Sequence, residues 1–187
     1  MLFRSTLYEN LRWKTISPQG FREEMLAYLP NESNSLLFSM ALSYLGDCQR
    51  IFPSDSCPLE EALWKIVTTN PVSQHRLQAF RLYRSIADSE EAVQRLYTLW
   101  QERKAPKDCT LSESDYIGLS YMLAMHLPEK ADKIIATQLS RIQNPDRKKE
   151  YQFISPSVSP RKAERDSVFA SLLIAGNQIG RASCRER

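Results

Sequence analysis

The residues best suited to hold a metal or move a proton near neutral pH are two histidines, His75 and His126, far apart in sequence. A zinc peptidase helix needs HExxH, where two histidines one turn apart hold the ion and the glutamate activates water. Neither histidine sits in that pattern. His75, among Gln74, Arg76 and Gln78, reads as a surface side chain. His126 ends an apolar helix, where the macrodipole favours its cationic form. Gly118-Leu119-Ser120 is half of a GxSxG elbow, but Met122 stands where the second glycine belongs. The stretch also reads as helix, whereas a nucleophile elbow needs a strand-to-helix turn. No GxxxxGK or GxGxxG loop is present to cradle phosphate.

The carboxylate pairs Glu23/Glu24, Glu60/Glu61 and Glu90/Glu91 fall near expected helix starts. Negative charge there complements the helix dipole, so they read as structural. The four cysteines, Cys48, Cys57, Cys109 and Cys184, lack CxxC spacing and read as idle thiols. The basic run Arg147, Lys148 and Lys149 reads as a solvated face, or as one that meets an acidic surface. Trp13, Trp64 and Trp100 lie on helix stripes and are expected in the core. No residue is assigned a catalytic, cofactor-binding or metal-ligating role, and no cofactor is assigned to this segment.

The elements that must position these side chains all read as helices. The chain has 187 residues, 42% hydrophobic and 25% charged, with only five glycines. Those values suit one globular domain with a sizeable core. No apolar run approaches the ~18–20 residues needed to span a bilayer, so no membrane partner is expected. The opening MLFRSTLYEN carries Arg4, Glu9 and Asn10 and is no signal peptide. A cytoplasmic and an exported parent are both compatible with it.

Helices are expected from Leu2, after Ser17-Pro18, after Asn34 or Ser35, and after Ser56-Cys57-Pro58. Asn70-Pro71 separates the fourth from a fifth. Asp88 with Glu91 and Ser112 with Asp115 form capping-box spacings for the next two. Pro128, Asn144-Pro145 and Ser159-Pro160 open the last three. Expected inward stripes include Phe21/Met25/Leu26/Leu29, Leu37/Met40/Ala41/Tyr44, Leu59/Leu63/Trp64/Val67 and Val93/Leu96/Tyr97/Trp100. Two more are Tyr116/Leu119/Leu123/Met125 and Ala131/Ile135/Leu139/Ile142. About ten helices follow, with starts every ~15–20 residues, the spacing of HEAT-like hairpins. The expected fold is all-α: a solenoid or superhelical bowl of stacked antiparallel helical hairpins.

Several segments, in order, carry a family resemblance: LYENL (Leu7 to Leu11), SEEAV (Ser89 to Val93) and RLYTLW (Arg95 to Trp100). LSESDY (Leu111 to Tyr116), TQLSRIQNPDRKKEYQF (Thr137 to Phe153) and RDSVFASL (Arg165 to Leu172) complete them. Together they resemble the C-terminal helical domain of bacterial aminopeptidase N-like zinc metallo-aminopeptidases. That resemblance implies a superhelical bowl packed against the catalytic zinc domain of the same parent chain. The bowl helps to close the cavity that admits peptide substrate. Zinc, HExxH and the GAMEN-type loop belong to the parent, and this segment alone is expected to be inactive. The rival expectation is a freestanding helical-repeat adaptor that binds a partner protein or peptide.

The final IGRASCRER (Ile179 to Arg187) resembles one translated frame of a common sequencing adapter. Residues 1–177 are therefore expected to be the helical domain, truncated at both ends, and 178–187 a non-native tail. Without that tail the net charge of +3 falls almost to neutrality, and no nucleic-acid partner is expected.

Overall fold

The computed structural model describes residues 2–54 and 56–173, with side chains from residue 6 onward. The proposed tail and Cys184 lie outside the described residues. Ten α-helices and three short 3-10 turns, with no strand among the described residues, establish an all-α fold. No described helix is long and apolar enough to cross a membrane. The chain forms two compact units, residues 1–112 and 113–187.

The first unit contains α1 (Leu2–Arg12), α2 (Pro18–Tyr28), α3 (Ser35–Ile51), α4 (Cys57–Thr69), α5 (Ser73–Ile86) and α6 (Glu90–Glu102). The punctuation works as its chemistry dictates. Ser17 caps α2 by accepting the Gly20 N–H at 3.0 Å, with Pro18 at the first helical position. Asn34 caps α3 through the N–H groups of Leu36 and Leu37. α1 stops where Lys14 turns left-handed, at φ 60°. That turn leaves Trp13 77% exposed, so the tryptophan expected in the core lies outside it.

The α3 stripe is also rotated from expectation. Phe38, Ala41, Leu42 and Leu45 are buried, whereas Met40 is exposed and Leu37 and Tyr44 are only half-buried. Both sets have helical spacing, so α3 is apolar over too wide an arc for periodicity to fix its phase. Packing against α5 decides it. Each fully buried side chain of Phe or Leu size adds ~1.5–3 kcal/mol, which favours the face carrying Phe38 and Leu45.

α4 and α5 form an antiparallel pair: Trp64 meets Tyr83 with ring centroids 5.2 Å apart, and Arg76 reaches the Asn70 carbonyl. α3 runs parallel to α5, since Ser35 meets His75 near one end and Gly46 faces Leu82 further along. α4 runs parallel to α6, with Glu60 at Ser89 and, one turn on, the Trp64 ring at Arg95.

The second unit contains α7 (Glu113–His126), α8 (Ala131–Arg141), α9 (Pro145–Ile154) and α10 (Lys162–Leu172). α7 is its most enclosed helix, burying Tyr116, Leu119, Met122, Leu123 and Ala124. Met125, expected inward, is 58% exposed. On α8 the buried set is Ala131, Ile134 and Gln138, with Ile135 and Leu139 half-buried. Asn144 caps α9 by accepting the N–H groups of Asp146 and Arg147 at 3.0 and 3.1 Å, with Pro145 in the first turn. The helix passes at Ser155 into a 3-10 turn, Ser155–Val158.

Candidate functional site

The side chains with chemical potential are mostly spent on the scaffold. His75 is fully buried, not on the surface. Its ring stacks on Phe38 at 4.0 Å and 4°, and Nε2 lies 3.1 Å from the Ser35 hydroxyl. Its Nδ1 is buried without a hydrogen-bond partner. Burial pushes its pKa below the usual histidine range, with the Glu32 carboxylate opposing. The result is a neutral packing histidine. The flanking Gln74 and Arg76 gave no hint of this, because the partner ring lies one helix pair away.

Glu60 is buried too, and the start of α6 supplies most of the donors to its carboxylate, beside the Ser56 hydroxyl at the start of its own helix. It accepts the N–H of Asp88 at 2.8 Å and of Ser89 at 3.2 Å, and the Ser89 hydroxyl as well. Ser89, in turn, accepts the Ala92 N–H and is the residue that caps α6. The Asp88/Glu91 box is therefore displaced by one residue. Burial pushes the Glu60 carboxyl up, but donors from Ser89, Asp88 and Ser56 outweigh it and the pKa falls below the ordinary value. Glu61 and Glu91 hold Arg95 at 3.3 and 2.7 Å, and its guanidinium lies 4.8 Å from the Trp64 ring. These carboxylates are structural anchors.

Ser120 lies inside α7, where its hydroxyl donates to the Ile117 carbonyl at 2.7 Å and sits 2.9 Å from the Tyr151 hydroxyl. It is no nucleophile elbow. Cys48, Cys57 and Cys109 carry no disulfide. Burial raises the thiol pKa of Cys48 and Cys109, so neither is a ready nucleophile. In the basic run, Lys148 and Lys149 are exposed, while Arg147 meets Glu113 at 3.4 Å. Among the described residues no three His, Cys, Asp or Glu side chains group to ligate a metal.

What remains is a trough of about 420 Å³ between the parallel helices α3 and α5. Leu42, Leu82, Ile86 and the bare Gly46 make its floor; Ser39, Ser43, Arg50, Gln78, Arg81 and Ser85 make its walls. Gly46 matters to the floor, because a Cβ there would come within 2.9 Å of a Leu82 methyl. No carboxylate lines the trough. α5 contributes no acidic residue anywhere along its length, although it holds three arginines. Asp47, next to Gly46 and one turn before Arg50, anchors the Arg50 guanidinium at one end. Sequence reasoning passed over this site because its serines and arginines read as the solvated sides of two separate helices.

A second cavity of about 380 Å³, lined by Leu26, Pro30, Ala62, Lys65 and Ile66 among others, is mainly apolar and carries one cation. No protein-family model, curated protein or solved structure matches the chain.

Proposed function

We propose that this chain is a non-catalytic helical portion of a zinc metallo-aminopeptidase, one that removes N-terminal residues from peptides. Its role in that enzyme is steric: it helps to close the substrate cavity, while the parent's catalytic domain holds zinc on residues outside this segment. The observation that carries the reading is where the resembling segments sit. LSESDY and QNPDRKKEYQF come together, with Glu113 of the first accepting the Gln143 N–H at 2.8 Å and meeting Arg147 of the second. SEEAV and RLYTLW supply the α6 cap Ser89 and the Arg95 anchor. Motifs that lock helix to helix suit a scaffold whose chemistry lies elsewhere.

The test is to extend the reading frame in both directions and to assay the chain. An in-frame HExxH upstream with a downstream glutamate is expected. The isolated chain should not hydrolyse aminoacyl-nitroanilides with or without zinc. Several hundred upstream residues lacking HExxH, or turnover by the chain alone, would overturn the reading.

The α3/α5 trough favours a second reading, a freestanding helical adaptor that binds a partner protein or peptide. The parallel pairing of α3 with α5 and of α4 with α6 is what stacked hairpins produce, and it leaves lengthwise grooves for such a partner.

A further inference from the structure

We infer that the cavity between α2 and α4 is a binding site for a medium-chain aliphatic carboxylate of about the length of octanoate. The site is independent of both readings above.

Its apolar wall comes from Leu26 of α2, Pro30 just after that helix, Ala62 and Ile66 of α4, and Pro71 beyond it. The prolines bring no N–H, and the amides of Ala62 and Ile66 are spent inside α4. A peptide backbone laid here would bury carbonyls without donors, whereas an alkyl chain asks for none. At about 380 Å³ the cavity has the size of a small-molecule site. From Ala62 to Asn70 its α4 side extends over roughly 12 Å. An extended chain gains roughly 1.2 Å per backbone bond, so a run of about ten bonds fits.

The polar groups at this wall select the head group. Lys65 is the one charged residue lining the cavity, and no carboxylate lines it. Its side chain is exposed, and the ammonium pairs with no carboxylate among the described residues. Asn70, also lining the cavity, is only 7% exposed, and its Oδ1 accepts the Val72 N–H at 2.9 Å. That turn fixes the orientation of the amide. It leaves Nδ2 as a donor with no acceptor among the described residues. A buried donor left unpaired is costly, and a carboxylate oxygen satisfies it. The Thr68 and Thr69 hydroxyls donate back to the Trp64 and Lys65 carbonyls at 3.0 and 2.7 Å. They offset part of the negative potential that the end of α4 would turn on an anion. An alkylammonium would meet Lys65 with like charge, and a small inorganic anion would leave the apolar wall uncovered.

The experiment titrates the full chain with sodium octanoate and follows backbone and side-chain amide chemical shifts. Shifts should saturate at Lys65, Ile66 and Thr69 and at the Asn70 side chain. Octylammonium and octan-1-ol should bind roughly tenfold more weakly or not at all. Lys65→Met, at an exposed position and with the aliphatic stem kept, should weaken octanoate roughly tenfold, the effect of losing one charge-assisted hydrogen bond. Asn70→Asp keeps an acceptor for the Val72 N–H but puts a like charge in place of the donor, so it should weaken binding as well. Lys65→Met carries the test if Asn70→Asp fails to fold. Absence of saturable shifts would overturn the inference, as would equal binding of octylammonium or octan-1-ol, or indifference to Lys65→Met. So would tighter binding of an N-acetylated tripeptide ending in a free leucine carboxylate, which would assign the cavity to the C-terminus of a partner protein.

Discussion

The carboxylate of Glu60, in the first turn of α4, accepts the backbone N–H of Ser89 at 3.2 Å together with its side-chain hydroxyl, 29 residues along the chain. Ser89 caps α6, so the start of one helix is tied to the start of the helix two further on. The same relationship recurs. Ser35 of α3 meets His75 of α5, Glu113 of α7 meets the N–H before α9, and Asp132 of α8 grips Arg161 at the head of α10. A carboxylate expected to serve only its own helix dipole also ties down a different helix.

Glu60→Ala should destabilise the protein by about 1–3 kcal/mol, because it leaves two N–H groups and a hydroxyl without their acceptor. The depressed pKa gives the acid dependence its sign. The stabilisation is present above the ordinary carboxylate value of 4.5 and is lost as pH falls through the lower folded value. Urea midpoints for the native protein and Glu60→Gln, measured from pH 7 down to pH 3, should converge as the solution becomes acidic.

His75 titrates in a different window. Its folded pKa lies below the unfolded value of 6.5, so its contribution is full above pH 6.5. Stability should fall as pH drops from 6.5 towards the folded pKa, because the unfolded chain takes up the proton first. His75→Phe, which keeps a ring against Phe38, should flatten that part of the profile. A His75 imidazole signal that titrates at 6.5 by NMR would contradict this account.

Ser120 and Tyr151 should respond unequally to mutation. Ser120 donates to Ile117, so in the pair 2.9 Å apart the Tyr151 hydroxyl is the donor. Burial, with the Ser120 bond opposing, pushes the Tyr151 pKa up to about 12. Ser120→Ala orphans a buried O–H and should cost about 1–3 kcal/mol. Tyr151→Phe removes that donor and keeps the ring beside Tyr121, 5.0 Å away, so it should cost less. Chemical denaturation of the two variants ranks them directly.

Asn144→Ala should cost about 1 kcal/mol, since it removes the acceptor for the Asp146 and Arg147 N–H groups at the start of α9. Asn144→Asp should keep the cap and its stability. Thermal melts followed by far-ultraviolet circular dichroism separate the two.

Local chemistry made the helix boundaries legible, because the cap and the residues it caps are neighbours in sequence. Ser17-Pro18, Asn34 and Asn144-Pro145 begin helices as their residue types require. Burial on α3 and at His75 was not legible in the same way. The choice between Phe38 and Leu37 as the inward face depends on α5, and His75 becomes a core residue only because Phe38 covers it. Ser89 took the cap from Asp88 because a distant carboxylate, Glu60, reaches its hydroxyl and both backbone donors. The α3/α5 trough belongs to the same class of hidden features, since neither helix alone carries a signal of it.

The ties between helix starts bear on how the chain finds its fold. Each closes a loop of limited length: 28 residues from Glu60 to Asp88, 30 from Glu113 to Gln143, 40 from Ser35 to His75. Loop-closure entropy grows only logarithmically, so these closures differ by no more than a few tenths of a kcal/mol. No single closure is the bottleneck, and none waits for the far end of the polypeptide. Within each unit, such closures of moderate and similar length favour rapid acquisition of structure.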